Sequence, residues 1–194
     1  MKRPVAARAR TYLRRPVVAD APEFVERVRA SVHLEPWAYP PADVGAFRQW
    51  LTRGDRPENE QYLVCVRAGD AIAGFVNLNG IQRGAVQRAS AGWAALAPHH
   101  GQGHLADGLA MALEVAFTQL RLHRVEADIQ PGNGRSRSLA RRAGLRLEGF
   151  SPRLVLIDGE WRDHERWAID ADTWRATTRP GSPGFGPAAA GRRG

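Results

Sequence analysis

Three histidines and two glycines crowd one short loop, His99-His100-Gly101-Gln102-Gly103-His104, just ahead of the longest amphipathic stretch in the chain. Gly101 and Gly103 lack a Cβ, so backbone N–H groups there can curve round an anion at close range. A helix starting directly afterwards adds unpaired N–H donors and the positive end of its dipole. The chemistry predicted is a diphosphate cradle. A tight strand-to-helix turn would need the same residues, so the glycines alone leave both readings open. A dinucleotide-binding G-x-G-x-x-G is excluded by the missing third glycine, and a kinase-type P-loop by the missing Gly-Lys-Ser/Thr. His100 and His104 are four apart but straddle both glycines, and no H-E-x-x-H pattern accompanies them. Solvated or phosphate-facing imidazoles are the better reading, and no metal is expected.

A second polar group follows about thirty residues later, in Pro131-Gly132-Asn133-Gly134-Arg135-Ser136. Asparagine donates and accepts at once and serine carries a rotatable hydroxyl, which suits an amide-bearing ligand arm. The same two residues also suit a helix start, with Asn133 as N-cap and Ser136 bonding into the first turn. Arg141 and Arg142 lie where they can reach a phosphate or simply line a solvated helix face.

The elements that must position these groups alternate along the chain. A short strand near Tyr12–Val18 precedes a helix at Ala21–Ser31, with Pro22 in its first turn and an apolar stripe of Phe24, Val25 and Val28. After the loop His33-Leu34-Glu35-Pro36-Trp37-Ala38-Tyr39-Pro40-Pro41 comes a second helix, Val44–Leu51. Tyr62–Arg67 and Ile72–Leu78 form an expected antiparallel hairpin, followed by a strand at Ala89–Leu96. The helix after the glycine loop spans Leu105–Leu120 with one buried stripe. A strand at His123–Gln130, a helix at Asn133–Arg142 stopped by Gly144, strands at Leu145–Phe150 and Leu154–Ile157, and a last strand at Trp161–Ile169 complete the pattern. Asp158-Gly159 is a hairpin-turn signal. Such an order predicts an α/β or α+β sheet covered by helices on its faces.

In this context the loop resembles a known family. The run from Gly92 through His104, the long helix, the block Pro131-x-Asn133-x-x-Ser136-x-x-Leu139 and the terminal segment around Asp163-His164 together resemble the RimJ/RimL branch of the GNAT acetyltransferases, over about Tyr12 to Ile169. The resemblance implies a mixed, mostly antiparallel twisted sheet with a splayed parallel strand pair and helices on both faces. It also implies acetyl transfer from acetyl-CoA to a primary amine. It places the diphosphate on His100, Gly101, Gln102, Gly103, His104, Leu105 and Ala106, with His100 and Leu105 departing from the family's Gln/Arg and small residue. Ala94, Ala95 and Leu96 lie on the strand whose N–H groups would polarise the thioester. Asn133, Ser136, Leu139 and Arg142 would lie along the pantetheine arm. The tyrosine many relatives use to protonate the leaving thiolate falls on Ala140, so Ser136 is the expected proton donor. Glu126, Asp163 and His164 are the expected candidates for general base, with ordered water as an alternative. His33, Trp37 and Tyr39 would roof the acceptor groove, and Asn79 matches a polar position near the reaction centre. The acceptor expected is a protein N-terminal amine; a polyamine or aminoglycoside, or a non-catalytic coenzyme A-binding regulator, are the alternatives.

Composition narrows the class further. The 194 residues, 43% of them hydrophobic, suit one domain. We expect it over 11–177, between a flexible basic segment at 1–10 and a disordered Pro/Gly/Ala-rich tail at 178–194. No apolar run suggests a membrane span or signal peptide, and one cysteine, Cys65, excludes a disulfide framework, so a cytoplasmic monomer or homodimer is expected. The net charge of +8 is terminal: nine of the 28 basic residues lie at the two ends, leaving 19 against 20 acids. That distribution does not describe a nucleic-acid-binding body.

Overall fold

The computed structural model describes residues 3–35 and 37–178. The chain opens with a hairpin of β1 (Ala6–Ala7) and β2 (Thr11–Arg14), within which Ala7 pairs with Tyr12. Within the segment read from sequence as a flexible basic N-terminus, Ala6–Ala7 form a short edge strand. A 3-10 turn (Val18–Asp20) leads into α1 (Ala21–Arg29), a second one (Val32–Leu34) precedes α2 (Val44–Gly54), and β3 (Glu60–Val66), β4 (Ile72–Gln82) and β5 (Arg88–Ala95) form a meander. Beyond the glycine loop come α3 (His104–Glu114), β6 (Arg124–Ile129), α4 (Gly134–Arg142), β7 (Arg146–Ile157), β8 (Glu160–Asp170) and α5 (Ala171–Thr178).

Local chemistry explains most of these boundaries. The Asp43 carboxylate accepts from the Ala46 N–H at 2.8 Å to cap α2, and Gly144, at φ +87°, ends α4. Both residues of the Asp158-Gly159 turn have positive φ, as a two-residue hairpin requires. Three expectations change. The helix read as Leu105–Leu120 is α-helical only to Glu114 and continues as a π-helical turn, Val115–Gln119. The two strands expected before Asp158 are one, β7, with the break replaced by a register shift between Ser151 and Val155. Helix α5 has no counterpart in the sequence reading. Its signal is the Asp170 carboxylate, which accepts from the Thr173 N–H at 2.7 Å and from its hydroxyl at 2.9 Å. Thr178, the first residue of the expected tail, ends α5, and 179–194 lie outside the described residues.

The eight strands form one sheet in the order β1-β2-β3-β4-β5-β6-β8-β7, antiparallel except for β5 and β6. Alternate residues serve opposite faces, as a pleated strand dictates. Leu13, Tyr62, Val64, Val76 and Leu78 pack with α3, while Tyr12, Leu63, Cys65 and Phe75 pack with α1 and α2. Gly108 lets α3 lie against β3, since a Cβ there would meet Val64 Cγ2 at 2.4 Å. Cys65 is fully buried, and burial pushes its thiol up to about 11, which suits a core residue and not a nucleophile.

The parallel pair sets the site. Arg88, Ala89 and Ser90 pair with Arg124, Val125 and Glu126, and there the pairing stops. β5 stays with β4 as far as Ala95, and β6 stays with β8 as far as Ile129. The two strands therefore part into a wedge whose facing edges lack strand partners beyond Ser90 and Glu126.

Candidate active site at the strand wedge

The glycine loop sits at the mouth of this wedge. Gly101 has φ +77° and Gly103 φ +87°, conformations that cost a side-chain-bearing residue about 1–2 kcal/mol. Gly103 is the N-cap of α3 and supplies no side-chain cap, so the first N–H groups of the helix, from His104 onward, remain open to a ligand. His104 is buried and its Nδ1 has no partner among the described residues. These features fit a diphosphate. His100 is exposed and its ring lies 4.4 Å from that of His33, while His99 meets His104 edge to face at 5.8 Å. Among the described residues no group of three or more His, Cys, Asp or Glu side chains is arranged to hold a metal.

The splayed strand contributes Ala94 and Ala95, with Leu96 just beyond; the Leu96 N–H is taken by Ala73 O at 2.8 Å, so it is engaged with β4. Leu105 packs against the core, with Ala106 beside it, and Gln102 Nε2 donates back to Pro98 O at 3.1 Å. Across the wedge, Asn133 caps α4: its Oδ1 accepts from the Ser136 N–H at 3.0 Å, leaving its amide N–H groups and the half-buried Ser136 hydroxyl without side-chain partners among the described residues. Leu139 turns into the core, and Arg142 reaches back to Ser138 Oγ at 3.0 Å.

The expected bases differ in how committed their atoms are. Glu126 closes the last parallel pair, but its carboxylate lies 3.2 Å from Arg88 and 2.7 Å from Arg124, and Arg124 also bridges Glu148. Asp163 is exposed and accepts the Arg153 N–H at 2.8 Å, holding the β7 irregularity. His164 is buried, and its Nδ1–H donates to Arg162 O at 3.0 Å, a bond that in the neutral ring makes Nε2 the acceptor nitrogen. Glu165 pairs with Ile129, the final residue of β6, so His164 stands one residue past the top of the wedge.

The segment ahead of α2 spans the opening. His33 Nε2 donates to Ala95 O at 3.0 Å at the end of β5; burial holds this imidazole below its usual range, partly offset by that bond. The Trp37 ring lies against Gly132, beyond β6, where a Cβ would meet it at 3.1 Å. The Tyr39 hydroxyl donates to Asp158 in the β7–β8 turn. These three contacts run from β5 past β6 to the far hairpin. Asn79 is exposed at the level of Ser90, and its Nδ2 lies 4.0 Å from where a Cβ on Gly92 would stand.

Sequence reasoning missed two residues here. Asn77, on β4, pairs with Gly92 of the splayed strand β5, and its Oδ1 is buried without a partner among the described residues. Its only signal was alternation with Asn79. Glu165, largely buried, accepts from Arg137 of α4 and from Trp167 Nε1, both at 2.9 Å, and so ties the helix carrying Asn133 and Ser136 to the sheet. An open pocket of about 300 Å³ over β6, β8 and β7 includes Glu126, Ser151 and Arg166. A larger hollow of about 500 Å³ around Gln87, Phe117 and His123 lies at the opposite strand ends and holds none of the site groups.

Known proteins share this fold. The fold resembles Mycobacterium smegmatis RimJ in complex with CoA-disulfide, at 27% identity and TM-score 0.76, over 84% of this chain and 82% of that one. It also resembles spermidine N-acetyltransferase from Vibrio cholerae in complex with CoA and spermine, at TM-score 0.74 over 86% and 99% of the two chains; at 18% identity this likeness concerns the fold alone. In sequence, 103 residues are 31% identical to the Escherichia coli [ribosomal protein uS5]-alanine N-acetyltransferase, a match spanning 53% of each chain, about half of that enzyme's length. Residues 10–146 match the acetyltransferase (GNAT) domain family, which covers the wedge, the glycine loop and the α4 block together. The chain belongs to the GNAT acetyltransferase family.

Proposed function

We propose that this chain moves the acetyl group of acetyl-CoA to the N-terminal α-amine of a protein. Acetyl transfer is the chemistry of the family; the acceptor is read from the groove. The observation that carries it is the state of the acids beside the wedge. Glu126 is held by Arg88 and Arg124, Glu148 by Arg124, and Asp128 by Arg166 at 3.0 Å. A polyamine needs unpaired carboxylates to neutralise its several ammonium groups. A groove whose acids already have guanidinium partners favours an acceptor with a single amine and a polar backbone.

Acetyl-CoA supplies the activated acyl thioester, its diphosphate on Gly101–Leu105 and its arm between the parted strands, beside Asn133. Within that frame an open β5 N–H polarises the acyl oxygen. His164 Nε2 takes the proton from the attacking amine: the Glu126 carboxylate is held by two arginines and Asp163 Oδ1 holds the β7 irregularity, whereas Nε2 has no partner among the described residues. The Ser136 hydroxyl returns a proton to the departing sulfur. His33, Trp37 and Tyr39 cover the acceptor, and Asn77 and Asn79 offer amide groups to its first peptide unit.

The test is a panel of acceptors incubated with acetyl-CoA, with free thiol and acceptor mass both recorded. Turnover with α-amine peptides and none with spermidine or an aminoglycoside is the expected outcome. Turnover confined to the small amines would overturn the acceptor assignment. Tight coenzyme binding with no turnover on any acceptor would favour a non-catalytic coenzyme A-binding regulator.

A further inference from the structure

We propose that Arg10, carried on the β1–β2 turn, is a phosphate ligand of coenzyme A that closes the glycine loop from outside. The inference rests on the reading that the diphosphate lies on Gly101–Leu105. Arg10 is 92 residues before Gln102 in sequence, yet its guanidinium lies over the loop. Nη1 is 3.5 Å from Gln102 O, Nη2 is 3.5 Å from Asp107 Oδ2, and Nη2 would lie 3.2 Å from a Cβ on Gly103. A side chain at Gly103 would crowd this guanidinium, so the same glycine that opens the helix N-terminus admits the arginine.

The backbone of Arg10 is fixed while its side chain is loosely held. The Arg8 N–H donates to Thr11 O at 2.8 Å across the turn, and the Arg67 N–H donates to Arg10 O at 2.9 Å. Both side-chain contacts, by contrast, stand at the outer limit of hydrogen bonding, and the side chain is 61% exposed. Asp107 has a second partner in the Thr11 hydroxyl at 3.1 Å, so it does not depend on Arg10. Arg14 on the same hairpin shows what a structural pair looks like: two bonds to Asp20 at 2.6 and 2.9 Å and 3% exposure. A guanidinium carries five donors in a planar fork suited to phosphate, and most of those on Arg10 are unengaged. A phosphate oxygen on the loop would draw the fork the short distance from Asp107.

Binding of coenzyme A, 3′-dephospho-coenzyme A and pantetheine to the full chain, by calorimetry, separates the possibilities. Arg10→Ala should weaken coenzyme A about fivefold to tenfold, Arg10→Lys about twofold, and leave pantetheine unchanged. A loss shared by coenzyme A and its dephospho form places Arg10 on the diphosphate, and a loss with coenzyme A alone places it on the 3′-phosphate; either supports the proposal. Equal affinity of wild type and Arg10→Ala for coenzyme A, or an equal loss with pantetheine, overturns it. Should Arg10→Ala fold poorly, Arg10→Gln keeps the bulk, and the salt dependence of coenzyme A binding must then be shallower than in wild type. Wild type that ignores coenzyme A sinks the loop assignment itself, whereas wild-type binding indifferent to Arg10 sinks only this inference.

Discussion

The two sides of the wedge are built from different material. On the donor side, the glycine loop and the start of α3 present backbone N–H groups, and their geometry is set by two positive-φ glycines. On the proposed acceptor side, the candidate groups are side chains: His164, Asn77, Asn79 and the span of His33, Trp37 and Tyr39. Backbone donors are held by local geometry and tolerate changes of side chain such as His100 and Leu105. Side-chain groups depend on which neighbours engage them, so three candidate bases close in sequence or space have different capacities. The comparison teaches that the proposed coenzyme half rests on backbone geometry and the proposed acceptor half on side-chain engagement.

Substitutions on the two sides should therefore fail differently. His164→Ala is expected to lower kcat on the order of a hundredfold while leaving coenzyme A affinity unchanged, measured by turnover and calorimetry together. If Glu126→Gln alone produces that loss, the base has been misassigned. Gly103→Val should do the reverse, weakening coenzyme A about tenfold because a β-branched residue resists φ +87°. Unaltered affinity there would mean that the loop is only a turn. Ser136→Ala straddles the wedge: turnover should fall about tenfold with little change in coenzyme binding, and an unchanged rate would remove it as the proton donor.

The smallest effect concerns pH. His33 and His99 both have imidazoles held below their usual range, chiefly by burial. A histidine depressed in the folded state binds fewer protons there than in the unfolded chain. Its contribution is intact above the ordinary imidazole value of about 6.5 and is lost as pH falls from there toward the depressed folded value. Melting temperature should accordingly decline on acidification through that window, and His33→Gln should flatten the decline. An identical pH profile in the variant would show that the burial of His33 carries no such coupling.

Much of the donor side was legible in the chain. The order of strands and helices, the α3 stripe, the Asn133 cap and the Gly144 stop all follow from periodicity and from residues with one strong conformational preference. Helix α5 escaped because it is short and its cap was overlooked, and β7 was divided because a bulge and a turn look alike in sequence.

What the sequence by itself determined is what neighbours along the chain can enforce: positive φ at Gly101 and Gly103, a helix directly after them, a two-residue turn at Asp158-Gly159. Only the tertiary structure decided that Glu126 is claimed by two arginines while His164 Nε2 has no partner among the described residues, that Asn77 comes to pair with Gly92, and that the charge at Arg10 lands on a loop 92 residues away. The physical reason is that conformational preference acts over a few residues, whereas ion pairing, burial and access to a ligand depend on strand register and packing between segments distant in sequence.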